Sequence, residues 1–408
     1  MNIVDIINKK RLRHHLAKEE LEYAFMGYLN EKIESYQISA LLMAICINGM
    51  TEEETINLTK IFIDSGDILD LSSIPGIKVD KHSTGGVGDK TTLVIAPIVA
   101  SCGVYMAKMS GRGLGYTGGT IDKLESIKGF KTALSEEEFL KELRDIGLVI
   151  SSQTTSLAPL DKKIYALRDV TGTVESYPLI ASSIMSKKIA SGADKIVIDL
   201  KLGKGALIHT KEDANKLKEI LIKIGNSFKK ETRVIITSMD NPLGNNVGNS
   251  LEVIEAMEVL KGNIDTPFAK LCIELASNLV SMGKNIPMME AEQEVIKVLK
   301  NNQAYHKFLK LVEYQQGDIN SLKISDQKIE IRSAKNGILK GIDAKLIGEI
   351  SMKLGAGRLT KDDTIDHEVG IVLNKQVNDK IVENDLLCTL YVNKVKDEFN
   401  IREAFIIE

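Results

Sequence analysis

The chain has 408 residues, 43% of them hydrophobic and 27% charged, with a formal net charge of -3. That length exceeds one compact core and implies two or three domains of ordinary globular composition. The near-neutral balance excludes a general attraction to nucleic acid or anionic membranes, and no apolar run approaches the ~20 residues needed to cross a bilayer. The mixed, charged start MNIVDIINKKRLRHH lacks the apolar core of a secretory signal, so a cytoplasmic location is expected. Cys46, Cys102, Cys272 and Cys388 are far apart with no CxxC spacing, and the histidines do not cluster with them. They read as buried reduced thiols rather than a disulfide framework or a zinc site.

The first 65 residues read as helices. Leu21, Phe25, Tyr28 and Leu29 share one helical face, and Ile38, Leu41, Leu42 and Ile45 repeat that spacing. Thr51 and Glu54 have capping-box spacing and open a third helix. After Pro75 short β-rich runs appear at 104–107, 148–150, 196–198 and 234–236, with helical stretches at 135–145, 211–229 and 249–261 between them. Alternation of this kind predicts a mostly parallel sheet covered by helices, with ligands at the carboxyl ends of its strands. From about Lys335 the pattern changes again, and 370–393 reads as short antiparallel strands. The fold class is therefore α/β, with a small helical domain in front and a small C-terminal α+β part. No internal repeat appears, and only 315–326 has the look of a linker.

Two glycine-rich segments, KHSTGGVGDKTT (81–92) and KMSGRGLGYTGGT (108–120), each combine a leading lysine, glycines and small hydroxyl residues. Glycines let backbone N–H groups approach an anion, a following helix offers its N-terminal dipole, hydroxyls donate hydrogen bonds, and lysine neutralises charge. The chemistry suits phosphate. Gly113-x-Gly115-x-x-Gly118 matches the dinucleotide fingerprint but does not open a first βα unit, so an NAD-binding enzyme is disfavoured. A P-loop fails because its two glycines would fall at Thr84 and Asp89. Pro97 is expected to interrupt the helix after the first loop.

A third segment runs from Tyr165 through Arg168 to Thr173, followed by Ser182–Lys188. Ser183 and Lys187 are four apart and share a helical face, while Arg168 is expected in a loop or turn before them. Two cations and a hydroxyl can read a flat ligand carrying carbonyls. Read alone, the same residues also fit a solvated helix face and a structural arginine.

In order along the chain, KHSTGGVGD (81–89), SGRGLGYTGGTIDKLES (110–126), YALRDVTGTV (165–174) and SSIMSKK (182–188) resemble the thymidine/pyrimidine-nucleoside phosphorylase family, closest to its pyrimidine-nucleoside branch. The likeness extends from VDIINKK (4–10) to LGAGR (354–358). The resemblance implies a homodimer with a helical domain at 1–66 and 160–192, an α/β phosphate-binding domain at 67–159 and 193–330, and a shortened C-terminal domain at 331–408. It implies that domain closure joins the base and phosphate sides. Lys81, His82, Ser83, Thr92, Lys108, Met109, Ser110 and Thr120 match phosphate-side positions, and Arg168, Ser183 and Lys187 match pyrimidine ligands. Leu114, Tyr165, Val174 and Ile180 match apolar walls, and His82 matches a histidine near the base carbonyl. His82, Arg168 and Lys187 are the implied catalytic residues. No organic cofactor is implied. A potassium ion is implied near Gly88, Lys90, Leu243, Asn246 and Glu255, mostly on backbone carbonyls. Tyr116, where the signature has His, Leu207, where Phe is expected, and Lys204 depart from the pattern.

The resemblance implies reversible phosphorolysis of uridine, thymidine or deoxyuridine to the free base and an α-sugar 1-phosphate. Phosphate attacks the anomeric carbon as the base departs, so positioning and electrostatics dominate. The alternatives are a phosphoribosyltransferase of the related anthranilate type, for which no paired acidic motif follows Asp199, and a non-catalytic pyrimidine-binding protein.

Overall fold

Four helices open the chain, α1 (Ile3–Arg11), α2 (Lys18–Leu29), α3 (Ser35–Asn48) and α4 (Glu52–Asp64), in a computed structural model that describes every residue except 114, 359, 361, 362 and 395–399. The capping box at α4 forms as its spacing predicts: Thr51 Oγ1 accepts the Glu54 N–H, and Glu54 Oε2 accepts the Thr51 N–H. The central region continues with β1 (Lys78–Ser83), α5 (Thr91–Ser101), β2 (Tyr105–Ser110), α6 (Thr120–Glu125), α7 (Glu136–Ile146), β3 (Leu148–Ser152), α8 (Pro159–Asp169) and α9 (Tyr177–Ala190). It proceeds through β4 (Lys195–Leu202), α10 (Lys211–Ser227), β5 (Glu231–Ser238), β6 (Asn246–Val247), α11 (Asn249–Leu260), α12 (Pro267–Lys284), α13 (Met288–Lys300) and α14 (Gln303–Tyr314). The C-terminal part holds β7 (Lys328–Arg332), β8 (Gly337–Ile342), α15 (Ala344–Ser351), β9 (Gly370–Leu373), β10 (Lys380–Ile381), β11 (Leu386–Tyr391) and β12 (Phe405–Ile407).

Strands β3-β2-β1-β4-β5 form one five-stranded sheet, with β2 and β3 parallel and Lys108 opposite Ile150. β1 is the strand that periodicity did not reveal. Its sequence KVDKHS is mostly polar and offers no apolar run, although Lys78, Val79, Asp80 and Lys81 are all buried. The C-terminal strands form two small sheets, β10-β8-β12 and β6-β9-β11-β7; the β9–β11 pair is antiparallel as expected, and β7, which precedes the segment read as strands, also pairs antiparallel with β11.

The chain divides into two compact units. One comprises Met1–His82, Thr154–Ile198 and Lys211–Val234, and the other Ser83–Gln153, Asp199–Thr210 and Ile235–Glu408. In the first, the predicted faces at Leu21, Phe25, Ile38, Leu41 and Ile45 are buried in one core with Leu58, Phe62, Leu160, Ile164 and Leu179. Buried polar pairs hold it in register: Thr59 Oγ1 donates to Ser182 Oγ at 3.1 Å, and Lys10 Nζ reaches Glu54 Oε1 at 2.8 Å.

In the second unit, α5 corrects one expectation. Pro97 lies inside the helix and does not end it. Removing one helical hydrogen bond and clashing with the preceding turn costs about 3 kcal/mol. Leu93, Val94, Ile95, Ile98 and Val99 are all fully buried around it, and each contributes about 1.5–3 kcal/mol on burial. Packing therefore outweighs the proline. The segment 315–326 is also no free linker: Gln315 is buried and its amide donates to the Lys131 and Ile150 carbonyls. A C-terminal core gathers Leu339, Ile347, Ile371, Ile381 and Phe405 together with Val87 and Met239.

Candidate functional site

The two glycine-rich segments begin as strands and end as loops. Lys81 and Ser83 alternate onto one face of β1, and Asp80 and His82 onto the other. Lys81 is fully buried, and His82 and Ser83 are half-buried. After β1 the loop turns on Gly85 and Gly88, both in the left-handed region, and enters α5. Asp89 organises this turn: Ser83 Oγ donates to its Oδ2 and Thr91 Oγ1 to its Oδ1, each at 2.5 Å. Ser83 Oγ in turn accepts the Gly85 N–H at 3.2 Å. Thr92 follows in the first turn of α5, at the positive end of the helix.

The second segment is built the same way. Lys108 and Met109 are buried near the end of β2, Ser110 closes the strand half-exposed, and Thr120 opens α6. Between them the loop crosses itself. A Cβ on Gly113 would lie 2.4 Å from the Gly119 nitrogen, so only glycine allows the two strands of the loop to touch. Asp122 fixes the crossing by accepting the Gly113 N–H at 2.6 Å and Arg358 Nη1 at 2.8 Å. Thus Ser83, Thr92, Lys108, Met109, Ser110 and Thr120 all belong to the second unit. Hydroxyls, a lysine and a helix start in this setting suit an oxyanion.

The positions expected to hold potassium also converge, but around a cation of the chain itself. Lys90 Nζ donates to the Leu243 carbonyl at 2.6 Å and the Asn246 carbonyl at 2.9 Å, and pairs with Glu255 Oε2 at 2.7 Å. Gly88 adjoins the same oxygens: a Cβ there would meet the Leu243 carbonyl at 2.6 Å.

In the first unit, Arg168 lies in the last turn of α8 rather than in a loop, which corrects the sequence reading. It is buried, and its Nε, Nη1 and Nη2 donate to the carbonyls of Thr173, Leu179 and Val174 at 3.0, 3.2 and 2.7 Å. Burial lowers its pKa, opposed by the charge of Asp161. A guanidinium has five N–H groups, so one on each terminal nitrogen remains for a ligand. Ser183 and Lys187 lie on one face of α9 as the spacing predicts, with Lys187 Nζ 3.0 Å from Ser183 Oγ. Lys187 also lies over the exposed Tyr165 ring, 5.7 Å from its centroid. Ile180 is buried on α9 and Val174 is half-buried before it. Leu114 lies outside the described residues.

Several partners escaped the sequence reading. Asp161 sits 2.8 Å from Lys187 Nζ through Oδ2, while its buried Oδ1 has no hydrogen-bond partner. The signal was present: Asp161, Tyr165 and Arg168 are spaced i, i+4 and i+7 on one helix. Asp80 accepts from Lys188 at 2.7 Å, and both are buried. Asp199 pairs with Lys201 at 2.7 Å and accepts from Thr237 Oγ1 at 2.6 Å. The Asp80–Lys188 pairing shows no periodic signature, whereas Asp199 and Lys201 lie two apart on one face of β4.

The departures fall in the second unit. Tyr116 packs against the C-terminal core, where a Cβ on Gly348 would lie 3.2 Å from its ring. Leu207 is half-buried, and Lys204 is exposed with its N–H on Asp240. Cys102, Cys272 and Cys388 are buried free thiols as expected, whereas Cys46 is half-buried, its Sγ 3.8 Å from the Glu175 carbonyl. Burial pushes the Cys102 and Cys388 thiols up to about 12. Among the described residues, no helix is long and apolar enough to cross a membrane, and no group of three or more His, Cys, Asp or Glu could hold a metal.

Residues 4–66 match the helical bundle domain of the glycosyl transferase family, residues 76–305 its a/b domain, and residues 338–405 the pyrimidine nucleoside phosphorylase C-terminal domain. A pyrimidine-nucleoside phosphorylase of Staphylococcus haemolyticus (strain JCSC1435) is 49% identical over 401 residues, covering 97% of this chain and 93% of its own. Those of Geobacillus stearothermophilus and Bacillus subtilis (strain 168) are 48% and 47% identical at the same coverage. The fold is also similar to that of anthranilate phosphoribosyltransferase from Thermus thermophilus, at a TM-score of 0.61 and 17% identity over 76% of this chain and 99% of that one.

Proposed function

We propose, from the premise that this chain belongs to the pyrimidine-nucleoside phosphorylase family, that it catalyses the reversible phosphorolysis of pyrimidine nucleosides. The products are the free base and α-D-ribose or 2-deoxyribose 1-phosphate. The observation that carries the reading is the near-full-length identity to pyrimidine-nucleoside phosphorylases, within which the two oxyanion segments and the Ser183–Lys187 pair fall in order.

In this reading phosphate rests on Ser83, Thr92, Lys108, Ser110 and Thr120, with Lys81 supplying further positive charge. Ser83 directs its hydroxyl to Asp89, so it donates to phosphate only after that hydroxyl turns. One phosphate oxygen attacks the anomeric carbon, the glycosidic C–N bond breaks, and its electron pair passes to the base. Positive charge builds on the sugar, and the phosphate dianion offsets it. Negative charge builds on the pyrimidine ring and its carbonyls, where Lys187 and the two remaining N–H groups of Arg168 stabilise it. His82 donates a hydrogen bond or a proton to the departing base. Displacement in one step inverts the anomeric centre and yields the α-sugar phosphate.

The reading extends to assembly and place. The chain functions as a cytoplasmic homodimer whose helical domain comprises 1–66 and 160–192, its phosphate domain 67–159 and 193–330, and its C-terminal domain 331–408. Tyr165, Ile180 and Leu114 wall the base.

Uridine, thymidine and deoxyuridine, each incubated with inorganic phosphate and no added divalent metal, test the proposal. Release of free base with stoichiometric α-sugar 1-phosphate is expected. No base release from any of the three sinks it. The fold likeness to an anthranilate phosphoribosyltransferase raises a transferase as second reading, but Asp199, the acid at the relevant strand, is neutralised by Lys201.

A further inference from the structure

The cage at residues 88–90, 243–246 and 255 is built for a single positive charge. Two backbone carbonyls, Leu243 and Asn246, converge on it, and the Glu255 carboxylate closes a third side. That carboxylate is fixed from behind, because the backbone N–H groups of Asn245 and Asn246 donate to Oε1 and Oε2 at 2.8 and 2.9 Å. Gly88 and Gly244 leave room for it, since a Cβ on Gly244 would lie 2.5 Å from Glu255 Oε1. A free monovalent cation does not fit beside what is already present. Lys90 Nζ, fully buried, makes all three oxygen contacts at 2.6–2.9 Å and lies 4.9 Å from the centre of the Phe268 ring.

We infer that Lys90 is a covalently tethered replacement for a bound monovalent cation, and that this chain is therefore independent of potassium. An ammonium is a compact point charge with three donors, which matches three converging oxygens. Carbonyl oxygens that replace the hydration shell of potassium serve an ammonium equally well. The tether has a structural consequence. Lys90 is the residue before α5, and its side chain ties the Ser83–Thr92 oxyanion loop to the 243–246 turn. A dissociable ion would make that tie depend on salt composition, whereas a side chain holds it at every potassium concentration.

The test uses the full-length protein in KCl and in choline chloride at equal ionic strength. For the natural sequence, melting temperature and phosphorolysis rate are expected to agree within about twofold in rate and one degree in Tm. A potassium-dependent rise in either overturns the inference. Lys90→Ser, purified in KCl, shortens the side chain to a hydroxyl and opens the cage. Its Tm is expected to fall in choline chloride and to climb back with KCl in a saturable way. A Lys90→Ser protein whose Tm ignores potassium also overturns the inference, since the oxygens would then not be a cation cage. Because Tm carries the result, the outcome is independent of whether pyrimidine nucleosides are the substrates.

Discussion

Lys187 Nζ lies between Asp161 Oδ2, at 2.8 Å, and Ser183 Oγ, at 3.0 Å, so the cation assigned to the base is held on two sides before any ligand arrives. Asp161 is a positioning residue in this arrangement. Asp161→Asn keeps the shape and removes the charge that orients Lys187. The expected result is a 10- to 100-fold loss in kcat/KM for the nucleoside with the KM for phosphate unchanged. A variant that loses both substrates equally would show a general folding defect instead.

Lys187→Met separates catalysis from stability. It leaves the Asp161 carboxylate, whose side chain is 2% exposed, without its partner. Removing one member of such a pair costs about 3 kcal/mol, because an uncompensated charge stays buried. The double variant Asp161→Asn/Lys187→Met should recover most of that loss in a denaturant titration. Turnover should stay at least about 100-fold down in both, as expected for loss of a preorganised electrostatic group. Recovery of activity along with stability would remove Lys187 from the catalytic assignment.

Arg168 predicts a different pattern. Its guanidinium donates to the carbonyls of Thr173, Val174 and Leu179, but Val174 also accepts the Ser176 N–H at 2.9 Å and Leu179 lies inside α9, so the buried Thr173 carbonyl is the acceptor that loses its partner. A buried acceptor left unsatisfied costs about 1–3 kcal/mol. Arg168→Met should therefore lose both turnover and several degrees of Tm. A fully stable Arg168→Met protein would mean that the 173–179 turn holds itself.

How much of this was legible in the sequence follows from the kind of order involved. Helix faces at 21–29 and 38–45 and the Thr51 cap are periodic or local, and they stand where the spacing put them. Ser183 and Lys187 were readable for the same reason. Asp161 was readable in principle, by its i, i+4, i+7 relation to Tyr165 and Arg168. The Asp80–Lys188 pair was not, because tertiary structure alone joins it, whereas Asp199 and Lys201, two apart on β4, share a strand face and were readable by alternation. Spacing did not reveal that the ammonium of Lys90 would fill the place expected for an ion.

The oxyanion segments give a prediction on the other substrate. Ser110→Ala and Thr120→Val each remove one hydroxyl donor. A hydrogen bond to a charged group is worth about 1.5–3 kcal/mol, which corresponds to roughly 10- to 100-fold in affinity. The KM for phosphate should rise by that factor in each variant while the KM for uridine holds within about twofold. Steady-state kinetics with each substrate varied in turn decides it, and an unchanged phosphate KM in both variants removes these hydroxyls from the site.

Glu142 makes stability depend on pH. On α7 it is 1% exposed, and its Oε1 has no hydrogen-bond partner. Burial, aided by the nearby charge of Glu138, pushes its pKa up from 4.5 to about 8. The folded state therefore holds this proton more tightly than the unfolded state does. Its contribution to stability is complete below about pH 4.5 and is lost as pH rises toward 8, at up to about 1.4 kcal/mol per pH unit. Glu142→Gln cannot ionise and keeps the shape. Its Tm should match that of the natural sequence near pH 5 and exceed it by several degrees at pH 8. Equal Tm values for the two proteins across pH 5–8 would mean that Glu142 ionises freely in the folded state, through an opening of α7 or a water that satisfies its carboxylate.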